Sequence, residues 1–130
     1  MKKIEAIFKE EKLNDVKEAL YKIGIYGMNF IEVRGHGRQG GIELIGRSGA
    51  YKIDMLPRIQ INIILSDHNV EKVIEVISQA ARTGQSGDGL IFVYPVEDVI
   101  RIRTGERGAQ ALTYTGDIDD RLAKQPNKKK

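Results

Sequence analysis

The chain has no cysteine and no tryptophan, and only two histidines, His36 and His68, among its 130 residues. Without thiols, neither a disulfide framework nor a thiolate metal site can form. No carboxylate cluster surrounds either histidine, so a structural zinc is not expected. Long apolar runs are missing too. No segment approaches the ~20 residues that a membrane-spanning helix needs. The opening Met1-Lys2-Lys3-Ile4-Glu5 lacks the apolar stretch of a secretory leader, and a cytoplasmic location is the expectation. No Ser/His/Asp set or paired-carboxylate motif stands out, which leaves Asp54, Asp88 and Glu106 as candidates for catalysis by charge alone. An enzyme is therefore not expected.

Charge of one sign is scarce where a nucleic-acid surface would need it. The formal net charge is +3, but residues 121–130 alone hold Arg121, Lys124, Lys128, Lys129 and Lys130 and no acid. The rest of the chain is slightly acidic. A basic patch on the fold itself is what nucleic acid requires, so that partner class is set aside. The basic end reads as a solubilising, disordered tail, with contact to anionic lipid or an acidic partner as the alternative.

What is present is a single domain with enough apolar residues, 41%, for a core. Ile4, Ala6 and Phe8 alternate with charged residues, as in a strand with one buried face. Leu13, Val16, Leu20 and Ile23 recur at helical spacing, and Gly24 ends that helix. Phe30–Val33 predicts a second strand and Ile59–Leu65 a third. Val70, Val73, Ile74, Ile77 and Ala81 mark a second helix, with Asp67 near its N-cap. Residues 90–94 predict a fourth strand, and Val99–Arg103 a short fifth. The order βαββαβ is the ferredoxin-like α+β pattern, with both helices on one face of an antiparallel sheet. Ile7, Ile31 and Ile64 then fall on the other face. An apolar sheet face left open usually marks an interface, and a symmetric homo-oligomer is the economical way to cover it. A C-terminal segment folded over the sheet is the alternative, disfavoured by the weak hydrophobicity after Leu112.

Two segments carry the candidate chemistry. The link from about Gly35 to Met55 is far longer than a hairpin loop and is rich in glycine, yet holds Ile42, Leu44, Ile45 and Tyr51. Such a loop is usually functional or disordered. Its apolar residues suit a segment that inserts into a partner or closes on a ligand. The second segment, Gly84-Gln85-Ser86-Gly87-Asp88-Gly89, joins a helix to a strand and can offer backbone N–H groups to a phosphate. On a strand, Arg101 and Arg103 would point the same way and neutralise an anion together.

Five pieces in order then carry a resemblance. They are Gly24-Ile25-Tyr26-Gly27-Met28, Gly35-His36-Gly37-Arg38-Gln39, Asp54-Met55-Leu56-Pro57-Arg58, Gly87-Asp88-Gly89 with Ile91-Phe92-Val93, and Ile100-Arg101-Ile102-Arg103-Thr104-Gly105-Glu106. From Met1 to about Glu106 the chain resembles the PII signal-transduction proteins, trimeric regulators of nitrogen metabolism. The resemblance implies a PII-like domain over 1–108 and a C-terminal extension over 109–130. It makes residues of about 36–55 the T-loop between strands two and three, 83–89 the B-loop, and about 101–106 the C-loop. It implies a homotrimer whose three inter-subunit clefts bind ADP or ATP, with Mg²⁺ accompanying ATP. The T-loop would dock on a target, such as a membrane transporter that recruits the protein to the membrane, or an enzyme of nitrogen or amino-acid metabolism.

Residue by residue, the resemblance places Asn29 and Ile64 near the adenine. Gly37 and Arg38 would contact the nucleotide from the T-loop root. Gly87, Asp88 and Gly89 would wrap the phosphates, and Arg101 and Arg103 would come from the adjacent subunit. Gln39 would meet a Mg²⁺ bridging ATP and 2-oxoglutarate. Arg58 stands where the family usually has a lysine that pairs with 2-oxoglutarate, and its planar fork differs in geometry. The family normally has a basic residue after Gly-Asp-Gly, where this chain has Leu90. A charged hydrogen bond of that kind is worth about 1.5–3 kcal/mol. Its loss would weaken ATP binding most, and 2-oxoglutarate sensing with it. Alternatively, Leu90 fills strand surface while other cations serve. Tyr51 aligns with a tyrosine that some relatives have uridylylated, although packing near the loop base or contact with a partner is the favoured role here. Leu112-Thr113-Tyr114 lies beyond the resemblance and could order near the cleft. Two further readings stand beside the sensor: a slow ATPase on the same trimer, and an adaptor whose T-loop binds without ligand control.

Overall fold

Alternation in the first strand decides which side of the sheet is buried. In the computed structural model, which describes residues 1–35, 42–46, 49–53 and 56–125, β1 spans Lys2–Lys9. Its Ile4, Ala6 and Phe8 point into the core, and Ile7 points away. The next elements are α1 (Leu13–Lys22), β2 (Asn29–Gly35), β3 (Ile42–Gly46), β4 (Gly49–Ile53) and β5 (Leu56–Leu65). Then come α2 (Val70–Ala81), β6 (Gly89–Pro95) and α3 (Ile118–Ala123). The main sheet runs β2-β5-β1-β6, every neighbouring pair antiparallel. This is the ferredoxin-like order, two β-α-β units interleaved about the central pair β1–β5.

The inward residues of β1 and β5 meet Val16 and Leu20 of α1 and Val73 and Ile77 of α2 in one cluster. Burying each large aliphatic side chain there stabilises the fold by about 1.5–3 kcal/mol. The end of α1 is set by glycine, as the sequence predicts. Gly24 has φ +90°, its N–H reaches the Tyr21 carbonyl at 3.0 Å, and the Ile25 N–H reaches that of Leu20 at 3.0 Å. This pairing closes a helix through a left-handed residue, and it buries Ile25 against the core. Asp67 does not cap α2 directly. It opens a short helical turn, Asp67–Asn69, and its carboxylate pairs with the Met1 ammonium at 2.8 Å.

Three expectations need correction. The long link is not loop throughout: β3 and β4 pair antiparallel, from Ile42 with Ile53 to Gly46 with Gly49. Alternating apolar residues let a glycine-rich segment satisfy its own backbone as a hairpin. Second, Val99–Arg103 is not a strand. It carries only a bridge between Ile100 and Arg107, and the chain turns back so that Arg101 N–H reaches the Glu106 carbonyl at 2.9 Å and Gly105 N–H that of Arg101 at 2.7 Å. Gly105, at φ +76°, permits the turn, and Ile102 is left fully exposed. Third, the basic end is ordered at least as far as residue 125. Arg121 and Lys124 belong to α3 and its cap, while 126–130 lie outside the described residues.

The extension docks at one end of the sheet by polar bonds, which is why its weak hydrophobicity did not announce it. Ile118 N–H donates to the Gly24 carbonyl at 2.9 Å. Asp119 accepts from Ser66 Oγ at 3.0 Å and Asn69 Nδ2 at 2.9 Å, and lies 2.8 Å from His68 Nε2. Partial burial, the largest single influence, pushes the Asp119 carboxyl up, but the bonds from Asn69, His68 and Ser66 together hold it below the usual carboxylate range. Arg121 donates to the Lys22 and Gly116 carbonyls and to the Tyr26 hydroxyl.

Candidate ligand-binding site

The predicted ligand residues fall into two groups on one chain. Asn29 and Ile64 line a cavity of about 290 Å³ at the end of β5, with Met28, Asn62, Leu112 and Tyr114. Asn29 and Asn62 pair across β2 and β5, and Asn62 Nδ2 donates to Asn29 Oδ1 at 3.0 Å. The second group lies where the Gly84–Gly89 loop meets β1. Asp88, Gly89 and Leu90 line a groove there with Ile7 and Phe8. Arg58 lies beside it in a neighbouring hollow with Lys9 and Ser86. Ile64 pairs with Lys3 of β1, whereas Leu90 pairs with Ile7. The groups are therefore about 13 Å apart along β1 at the rise of an extended strand, on opposite flanks of it.

The loop of the second group is closed by its own aspartate. Asp88 accepts from the Thr83 N–H at 2.8 Å, the Gly84 N–H at 2.9 Å and the Thr83 hydroxyl, and Lys9 approaches to 3.5 Å. The Thr83 hydroxyl and N–H bonds hold the Asp88 carboxyl far below the usual carboxylate range. Those bonds fix the loop from within. Sequence reading placed Asp88 at the site but missed Thr83, five residues earlier, which makes the aspartate structural.

Arg101 and Arg103, expected side by side on a strand, part company in the turn. Arg101 donates to Glu106 Oε1 at 3.1 Å and to the Ala111 and Thr113 carbonyls at 3.0 and 3.1 Å, and it lies 4.7 Å from the Tyr114 ring centroid. Its Nε is buried with no hydrogen-bond partner. Arg103 is exposed and makes no ion pair or side-chain hydrogen bond among the described residues. Through Tyr114, Arg101 belongs with the Asn29–Ile64 group. Gly37, Arg38 and Gln39 lie outside the described residues, as does the side chain of Tyr51. Among the described residues Arg58 Nη1 donates only to the Pro57 carbonyl, at 3.0 Å, and makes no ion pair.

The open face of the sheet joins the two groups. Ile31, Leu90, Phe92 and Tyr94 are exposed on it, with Ile7 and Ile64 partly covered between Lys3, Glu5, Gln60 and Asn62. That mixture of apolar and polar side chains is typical of a protein interface.

A family model described as Nitrogen regulatory protein P-II matches residues 1–106. The Nitrogen regulatory protein P-II of Azospirillum brasilense and that of Rhodospirillum rubrum are each 53% identical over 112 residues, which is 86% of this chain and 100% of theirs. The Nitrogen regulatory protein P-II 1 of Methanothermobacter thermautotrophicus is 49% identical over 86% of this chain and 97% of its own.

Proposed function

The chain belongs to the nitrogen regulatory protein P-II family, and from that membership we propose a signal-transduction regulator of nitrogen metabolism, built as a homotrimer. ADP or ATP binds between subunits, and the segment of about 36–55 carries the resulting state to a target protein. The division of the ligand residues into two groups is the observation that carries this reading. One group offers amides and apolar surface for a base, and the other offers backbone N–H groups for phosphates. Opposing the first group of one subunit to the second of its neighbour completes a cleft that a lone chain lacks. The open sheet face supplies the contact, and the buried orphan Nε of Arg101 is a donor that a ligand or neighbour would satisfy.

The PII-like domain then spans 1–108, with 109–130 as an added extension. The protein works by binding rather than catalysis. The target is a membrane transporter or an enzyme of nitrogen or amino-acid metabolism. No helix among the described residues is long and apolar enough to cross a membrane, so membrane association would come through such a partner.

Leu90 sets the ligand preference. Its side chain, 66% exposed on the open face, stands beside the phosphate group where a cation would act. Without that cation ATP gains little over ADP, and a 2-oxoglutarate site through Gln39, Mg²⁺ and Arg58 is weakened. The sensed variable is accordingly the ADP/ATP balance. Leu90→Lys is expected to tighten ATP binding about tenfold, the order of one charge-assisted hydrogen bond, with little change in thermal stability. Calorimetric titration of both proteins with Mg-ATP measures it. Equal affinities would mean that other cations already serve.

A further inference from the structure

The cavity beside Asn29 is built partly from the end of the chain. Leu112 and Tyr114 face Met28, Asn29, Asn62 and Ile64 across it; the family model stops at residue 106, and the relatives match over 112 residues. We propose that the C-terminal extension supplies a wall of a purine-base pocket, with Tyr114 as a base-contacting residue. The proposal rests on the nucleotide-binding reading above and adds a binding residue to it.

The lining chemistry points to a base and away from phosphate. Its charged members are Asp117 and Asp119, which would repel an anion. The remainder is aliphatic, aromatic and amide, with Met28, two glycines and the hydroxyl of Ser66, which already donates to Asp119. Because Asn62 donates to Asn29 Oδ1, the Asn29 amide nitrogen is left as a donor with no partner among the described residues. A flat ring with nitrogen acceptors along its edge suits that donor. Tyr114 is 53% exposed although it lines the cavity, and with the Arg101 guanidinium over one face of its ring, 4.7 Å from the centroid, the opposite face is the one left for a base. The wall is held in place at both ends. Arg101 fixes the Ala111 and Thr113 carbonyls, and Ile118, Asp119 and Arg121 tie the far end to Gly24, the start of α2 and the end of α1.

The test uses the full chain and three variants, Tyr114→Ala, Tyr114→Phe and Asp119→Ala. Each is titrated calorimetrically with ADP, and with inorganic pyrophosphate as a competitor that lacks the base. Stacking of a base on an aromatic ring supports an expected loss of about tenfold in ADP affinity for Tyr114→Ala. Pyrophosphate affinity should be unchanged, and Tyr114→Phe should stay close to the parent. Asp119→Ala, which unties the wall, should also weaken ADP. Unchanged or tighter ADP binding by Tyr114→Ala overturns the proposal, as does an equal loss for ADP and pyrophosphate, which would mark a role through folding. If the parent binds ADP and the variant matches it, this inference alone fails. If the parent binds neither ligand, the nucleotide reading itself fails.

Discussion

Arg103→Ala is expected to push ADP binding out of calorimetric range while the oligomer and its thermal stability stay as they were. The turn leaves Arg103 exposed and without a partner among the described side chains, so its removal costs the isolated fold little. In the proposed cleft it is a cation free to meet phosphate without first breaking an ion pair. Losing a charged hydrogen bond there costs about 1.5–3 kcal/mol, or more than tenfold in affinity. Arg101→Ala is a different experiment. Arg101 also bonds Glu106 and two carbonyls of the extension, so that variant loses structure along with charge. Titration with ADP, alongside sedimentation to count subunits, separates the two. Undiminished affinity in Arg103→Ala would remove Arg103 from the site.

Gly89→Ala should be the most destabilising of the glycine changes around the phosphate loop. Gly89 has φ +115°, and a Cβ there would lie 1.8 Å from the Ile7 carbonyl oxygen and 2.8 Å from its carbon. Those are backbone atoms of β1, held in register by β5 on the other side, so neither side can give without breaking ladder bonds. Gly84→Ala is the natural comparison. Gly84 has a similar left-handed requirement, φ +86°, but open space where its Cβ would go. It should cost about 1–2 kcal/mol for the backbone alone. Gly89→Ala should exceed that by a further ~2 kcal/mol or more, as overpacked sites do. Thermal unfolding followed by circular dichroism measures both, with a midpoint drop for Gly89→Ala at least twice that for Gly84→Ala. Equal drops would mean that β6 does not begin against β1 at Gly89.

The βαββαβ order was legible because each core element repeats its own period. Ile4, Ala6 and Phe8 alternate, Val73, Ile77 and Ala81 recur at helical spacing, and all of them are buried. Gly24 announced the end of α1 for the same local reason. The misreadings are non-local. Ile100 and Ile102 alternate as a strand would, but among the described residues no neighbouring strand extends to receive them, and the turn bonds of Thr104, Gly105 and Glu106 win. The docking of α3 depends on Ser66, His68 and Asn69 meeting a carboxylate some fifty residues later, which no periodicity records. Within the site, residue types pointed to the glycine loop and the arginines. They could not show that Thr83 occupies Asp88, or that Asn29 and Leu90 lie on opposite flanks of β1.

Titration of the purified full chain with ADP, with the number of sites read per chain and the particle mass measured under the same conditions, tests the central claim most directly. The account predicts one ADP per chain on a particle of three chains. No binding by a trimer, or saturable binding by a lone chain, would contradict it, because the proposed cleft is completed only where two subunits meet.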